Sequence, residues 1–205
     1  MADDYMGFVL LGLATANVLG VSGAVLQMFS HGVIGALLFA IAGRMIYPRT
    51  HTRDLDELSR LGLARALPFA AFAFVIASAA SMGIPGFSGF AAEITILIGT
   101  WKSYPLAVWI TGMGMVLVAA FTLRALKKSF FDTAALPIGG TTGAWPEPVE
   151  RVSSEASRPT LLPITLPEKL GAGLLMLATL AVGLYPKLLF DRITPAVEAM
   201  RFLKP

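Results

Sequence analysis

Residues 106–126 read LAVWITGMGMVLVAAFTLRAL, an apolar run whose first charge is Arg124. The hydrocarbon core of a bilayer is roughly 30 Å thick, and a helix crossing it needs about 20 predominantly apolar residues. This run meets that requirement by itself and predicts a membrane-spanning helix. Arg124, Lys127 and Lys128 close it, as expected where a span meets headgroups or water.

Comparable runs lie on both sides. Tyr5 to about Gly20 is a first apolar run, and Val21 to about Tyr47 is a second. Turn chemistry at Leu19-Gly20-Val21-Ser22-Gly23 is expected to separate them. Leu67 to Ile84 is a third, rich in Ala and Phe. Gly83-Ile84-Pro85-Gly86-Phe87-Ser88-Gly89 then breaks the helix. The fourth run, Phe90 to Trp101, is too short to cross a bilayer alone. A sixth, Leu170 to about Tyr185, is introduced by Pro167-Glu168-Lys169. The expected fold class is all-α: a polytopic transmembrane helix bundle of about six spans. One span is expected to be discontinuous near residues 86–105, because short spans interrupted by Gly and Pro mark transport sites.

Residues 1–205 are read as a single transmembrane domain. Residues 131–167, rich in Pro, Ser and Thr, are read as an exposed polar loop. Pro48 to about Arg65 is a polar connector with an amphipathic piece. Thr52 or Asp54 is its candidate cap, with Glu57 completing a box from Asp54.

Composition agrees. Apolar residues make up 56% of the chain and charged residues 14%, whereas a soluble domain carries about 25% charged residues. The net charge of +3 comes from loop Arg and Lys. No basic stripe is interleaved with aromatics, which argues against nucleic-acid binding. With no cysteine, disulfides and thiolate chemistry are excluded. The acidic start, Ala2-Asp3-Asp4, lacks the positive n-region of a cleavable signal peptide.

Two ionisable residues sit deep in apolar runs. Glu93 lies in Gly89-Phe90-Ala91-Ala92-Glu93-Ile94-Thr95-Ile96, and His31 in Gln27-Met28-Phe29-Ser30-His31-Gly32. A carboxylate at membrane depth costs several kcal/mol, so such groups face a bundle interior and mark ion or proton pathways. An imidazole passes protons in either direction near neutral pH. Gln27 and His31, four apart, share a helix face, with Ser30 beside them. His31 and Gln27 also read as interhelical hydrogen-bonding groups without transport function. Lys102, between Trp101 and Tyr104, reads as an interface anchor.

Three stretches together resemble a known family. They are Gln27-Met28-Phe29-Ser30-His31-Gly32, Pro48-Arg49-Thr50-His51-Thr52-Arg53-Asp54, and Gly83-Ile84-Pro85-Gly86-Phe87-Ser88-Gly89-Phe90-Ala91-Ala92-Glu93. Their order and spacing are similar to the antiporter-like subunit M of NADH-quinone oxidoreductase (respiratory complex I). The resemblance covers this chain from about Tyr5 onward but only the last part of the family's length. Carried over, it implies that Glu93 is the terminal glutamate of the proton path, on a discontinuous helix. It implies that His31 belongs to the hydrophilic axis of the membrane arm, so that both residues serve proton transfer. The family's first half-channel and central lysine have no counterpart here. The resemblance further implies a non-redox translocase subunit, multi-pass in the bacterial inner (plasma) membrane and packed against other membrane-arm subunits and lipid. It implies no cofactor in this chain, with NADH, flavin, iron-sulfur clusters and quinone on other subunits. The alternatives are a subunit of a cation/proton antiporter or membrane-bound hydrogenase, and a non-conducting structural membrane protein or truncated fragment.

Overall fold

The computed structural model describes residues 2–52, 54, 55, 58, 62–131 and 162–200. Every regular element among them is helical. Helix α1 covers Ala2–Ala14. Helix α2, Val18–Phe39, continues without interruption through a π-helical stretch, Ala40–Ile46, into α3, Tyr47–Thr50. The left-handed backbone of His51 (φ 55°) ends it. This column of 33 residues is the spine of the bundle.

The boundary between α1 and α2 differs from the sequence expectation. The chain turns at Thr15–Asn17, with Ala16 at φ 48°, and Leu19–Gly23 are helical. Asn17 caps α2 by accepting the Gly20 N–H at 2.8 Å, and its side-chain amide donates to the Gly99 carbonyl at 2.9 Å. The glycines read as turn residues serve close packing instead: a Cβ on Gly23 would sit 2.9 Å from the backbone nitrogen of Ile96. Small residues let helix backbones approach in this way.

Helix α4, Leu63–Ala66, leads into α5, Pro68–Ser81. After the break at residues 82–87, α6 runs from Ser88 to Ser103. These two helices have 14 and 16 residues, or about 21 and 24 Å, so neither spans roughly 30 Å alone. They lie end to end along the spine. Leu67, Ala70 and Ala77 of the first part share a core with Met45, Ile41 and Leu37. Gly89, Ala92 and Gly99 of the second meet Ile34, Gly23 and Gly20. The interruption is built by Gly83 (φ 67°) and Gly86 (φ 103°), conformations that favour glycine, with Pro85 between them. A second, shorter interruption at Tyr104 separates α6 from α7, Pro105–Leu126. The discontinuity expected near residues 86–105 therefore frames α6 at both ends.

Helix α7 and its π-helical extension, Lys127–Phe131, expose most of their apolar surface: Leu106, Trp109, Ile110, Met113 and Leu117 all face outward. A helix apolar all round belongs in lipid or against another protein. Helix α8, Leu166–Leu184, starts with a capping box between Thr165 and Glu168. Its Gly183 lies directly on the backbone of Gly86 and Phe87, so α8 closes over the break. Val18–Thr50, Pro105–Phe131 and Leu166–Leu184 are each long and apolar enough to cross a membrane. One element was not anticipated: the amphipathic α9, Lys187–Glu198, which packs Leu189, Phe190 and Ile193 over Leu26 and Val182.

Arg49 ties the far end of the spine to α8. Its guanidinium donates to the carbonyls of Arg44, Met45, Leu162 and Pro163, and to Glu168 Oε2 at 2.8 Å. Residues 132–161 of the expected polar loop, and Glu57 of the expected box, lie outside the described residues.

Candidate functional site

Glu93 sits just over one turn into α6 and is only 4% exposed. The helix starts where it does because Pro85 and two left-handed glycines forbid an earlier start. The carboxylate folds back over the break: a Cβ on Gly83 would collide with Oε2. Gly83 is therefore needed twice, for its backbone conformation and for its missing side chain. Beyond the carboxylate opens a cavity of about 490 Å³ bounded by α1, the end of α5 and α7, with Tyr5, Phe8, Met82, Thr111 and Met115 in its walls. Among the described residues no basic side chain pairs with Glu93.

His31 is half-buried on α2. Its ring lies against the Tyr5 ring of α1, with centroids 4.9 Å apart and planes at 36°. The Tyr5 hydroxyl donates to the Ser81 carbonyl at 2.9 Å. His31 and Glu93 are thus on separate helices, joined through Tyr5, which touches the imidazole and also lines the Glu93 cavity. Gln27 is fully buried one turn before His31. Among the described residues, neither Gln27 amide atom nor His31 Nδ1 hydrogen-bonds a protein group.

A chain of buried hydroxyls continues from the same stripe. Ser30 Oγ and Ser88 Oγ are 2.8 Å apart, and Ser88 Oγ and Thr179 Oγ1 are 2.9 Å apart. It links α2, the first turn of α6 and α8. Thr100, seven residues after Glu93 on the same helix, is also buried and donates to the Ile96 carbonyl at 2.8 Å. Lys102 is exposed at the end of α6 between Trp101 and Tyr104, where an anchor belongs.

Sequence reading paired Gln27, Ser30 and His31 because helical spacing aligns them. It missed Tyr5, Ser88 and Thr179. Ser88 lay inside the quoted Gly-Pro motif, but its partners are 58 and 91 residues away, and no spacing rule connects them. Tyr5 stands at the start of the first apolar run, 26 residues from His31, where no helical spacing ties the two together.

No group of three or more His, Cys, Asp or Glu side chains that would hold a metal occurs among the described residues.

The family model "NADH:quinone oxidoreductase/Mrp antiporter, TM" matches residues 4–119. The chain is 36% identical over 205 residues to an NAD(P)H-quinone oxidoreductase chain 4 of Synechococcus elongatus, covering 96% of this chain and 34% of that one. It is 40% identical over 141 residues to a chain 4 of Trichodesmium erythraeum, covering 65% of this chain and 25% of that one. Its fold is similar to a chain of respiratory complex I from Thermus thermophilus with bound NADH (TM-score 0.78, 27% identity, covering 98% of this chain and 38% of that one). A chain of the Mrp complex from Dietzia shares the fold (TM-score 0.74, 22% identity, 94% and 40% covered). The chain spans about a third of the length of the Synechococcus relative. Its long apolar helices and bacterial relatives place it as a multi-pass protein of a bacterial membrane. With that family model matching more than half of its length, and a relative 36% identical over 96% of it, this chain belongs to the NADH:quinone oxidoreductase/Mrp antiporter transmembrane family.

Proposed function

We propose that this chain forms a proton-conducting half of an antiporter-like, non-redox subunit in the membrane arm of an NADH:quinone oxidoreductase. The complex sits in the inner (plasma) membrane, and quinone reduction elsewhere in it supplies the energy. The observation that carries this reading is the placement of Glu93: buried at a helix break, facing a cavity, with no basic partner among the described residues. A lone carboxylate in that setting is a costly charge, and taking up and releasing a proton is the means by which it carries current.

Glu93 alternates between carboxylic acid and carboxylate, and His31 relays protons along the spine. Gln27 supports a hydrated polar path, because a buried polar group without a described protein partner is one that internal water satisfies, and the mutually hydrogen-bonded Ser30, Ser88 and Thr179 hydroxyls extend that polar line. NADH, flavin, iron-sulfur clusters and quinone belong to other subunits, and conduction across the full membrane uses residues on segments beyond those of this half. The chain 4 relatives, named NAD(P)H-quinone oxidoreductase subunits, support this complex over a hydrogenase or a separate antiporter.

The test is Glu93→Gln in the assembled complex, with proton uptake into inverted vesicles followed by a pH-sensitive dye beside substrate oxidation. Pumping is expected to fall far more than membrane insertion. Normal pumping would sink the reading, and sodium-dependent uptake would move the chain to an antiporter.

A further inference from the structure

We propose that Tyr5 is a further residue of the proton path, carrying protons between His31 and the cavity onto which Glu93 opens. The proposal rests on the roles of Glu93 and His31 given above. Three observations meet at this side chain. Its ring lies 4.9 Å from the His31 ring, centroid to centroid. It lines the cavity shared with Glu93. Its hydroxyl, in a residue that is only 6% exposed, donates to the Ser81 carbonyl.

That last contact has a local cause. In a continuous helix the Ser81 carbonyl would accept from the N–H four residues on. That residue is Pro85, which has no N–H. The carbonyl stranded by the break is therefore satisfied by α1, and the phenol is held at the one gap in the α5–α6 line. A phenylalanine would fill the same space against His31. The hydroxyl is what reaches the break, and a phenol both donates and accepts a hydrogen bond.

The transfer balances with water as the only other reactant. Protonated His31 gives a proton to the phenol oxygen. The hydroxyl turns from the Ser81 carbonyl to a cavity water, and its proton passes through that water to the Glu93 carboxylate. Imidazolium becomes imidazole, carboxylate becomes carboxylic acid, and Tyr5 remains a neutral phenol. His31 Nδ1 is buried and bonded to no described protein group.

The experiment compares Tyr5→Phe, Tyr5→His and Glu93→Gln in the assembled complex, each measured for proton uptake in vesicles and for thermal stability in detergent. Tyr5→Phe keeps the ring and removes the proton carrier, so uptake is expected to fall about tenfold, less than the effect of a fully dedicated acid–base group because water partly substitutes. Tyr5→His restores a donor and acceptor, so it transports better than Tyr5→Phe although it packs worse and melts lower. A purely structural role gives the opposite order, with transport following stability. Uptake in Tyr5→Phe equal to the parent, or transport ranking with melting temperature, would overturn the proposal. If Tyr5→Phe does not assemble, Tyr5→His decides: uptake as low as Glu93→Gln overturns it, and retained uptake supports it. Normal uptake in Glu93→Gln is a separate result, which rejects the underlying reading of the site.

Discussion

Gly83→Ala tests whether the helix break exists to seat Glu93. Two costs follow from the geometry. At φ 67° an alanine carries the left-handed penalty of about 1–2 kcal/mol. The new Cβ also collides with Glu93 Oε2, and driving the carboxylate off its rotamer adds about 0.5–1.5 kcal/mol. The total is about 1.5–3.5 kcal/mol, and the carboxylate is displaced on the order of 1 Å, a shift worth about 100-fold in a reaction that depends on position. Gly62 supplies the control. Its φ is 57°, and among the described residues a Cβ there meets nothing within 4 Å. Gly62→Ala carries the backbone penalty of about 1–2 kcal/mol and leaves Glu93 untouched. Thermal unfolding in detergent reads the stability difference, and proton uptake by vesicles containing the assembled complex reads the function. Gly83→Ala is expected to lose most of its uptake while Gly62→Ala retains it. Equal behaviour of the two variants in both assays would refute the idea that Gly83 makes room for the carboxylate.

Arg49→Ala removes a side chain that bonds four carbonyls and Glu168. Stability should fall by about 2–3 kcal/mol, somewhat below a fully buried pair because Glu168 keeps part of its hydration. Limited proteolysis should then show faster cleavage near residues 49 and 162, and Arg49→Lys should recover less than half the loss because a point charge replaces a fork of donors. Gly99→Ala should be destabilising by about 1–3 kcal/mol, since its Cβ would lie 2.6 Å from the backbone nitrogen of Gly20 and neither helix can yield locally. Gly112→Ala on α7, where a Cβ meets nothing within 4 Å, should leave the melting temperature unchanged or slightly raised.

Much of this architecture is legible in the chain because membrane insertion imposes a one-dimensional rule. A segment is apolar over about 20 residues or it is not, so residues 106–126 declare their helix without reference to any neighbour. The break at residues 82–87 is equally local, since Gly and Pro restrict or free the backbone by their own covalent structure. Glu93 and His31 stand out as candidates because an ionisable group in an apolar run is costly wherever it ends up.

Other features depend on where helices meet. Gly20 and Gly23 carry the composition of a turn, yet they are helical and packed against α6, because glycine serves sharp turns and close approach alike and only the neighbour decides which. The α9 helix was not read from the sequence because it is short and amphipathic, without a spanning signature. The end-to-end alignment of α5 and α6 comes from side chains distributed along a 33-residue spine, not from either short run. By itself the sequence determined that the protein is a bundle of membrane helices with a buried carboxylate beside a broken one, since each of those properties is carried by a contiguous stretch. Only the tertiary structure decided that Tyr5 joins His31 to the Glu93 cavity and that Ser88 links Ser30 to Thr179. Those contacts connect residues between 26 and 91 positions apart, and no helical period reaches across such distances.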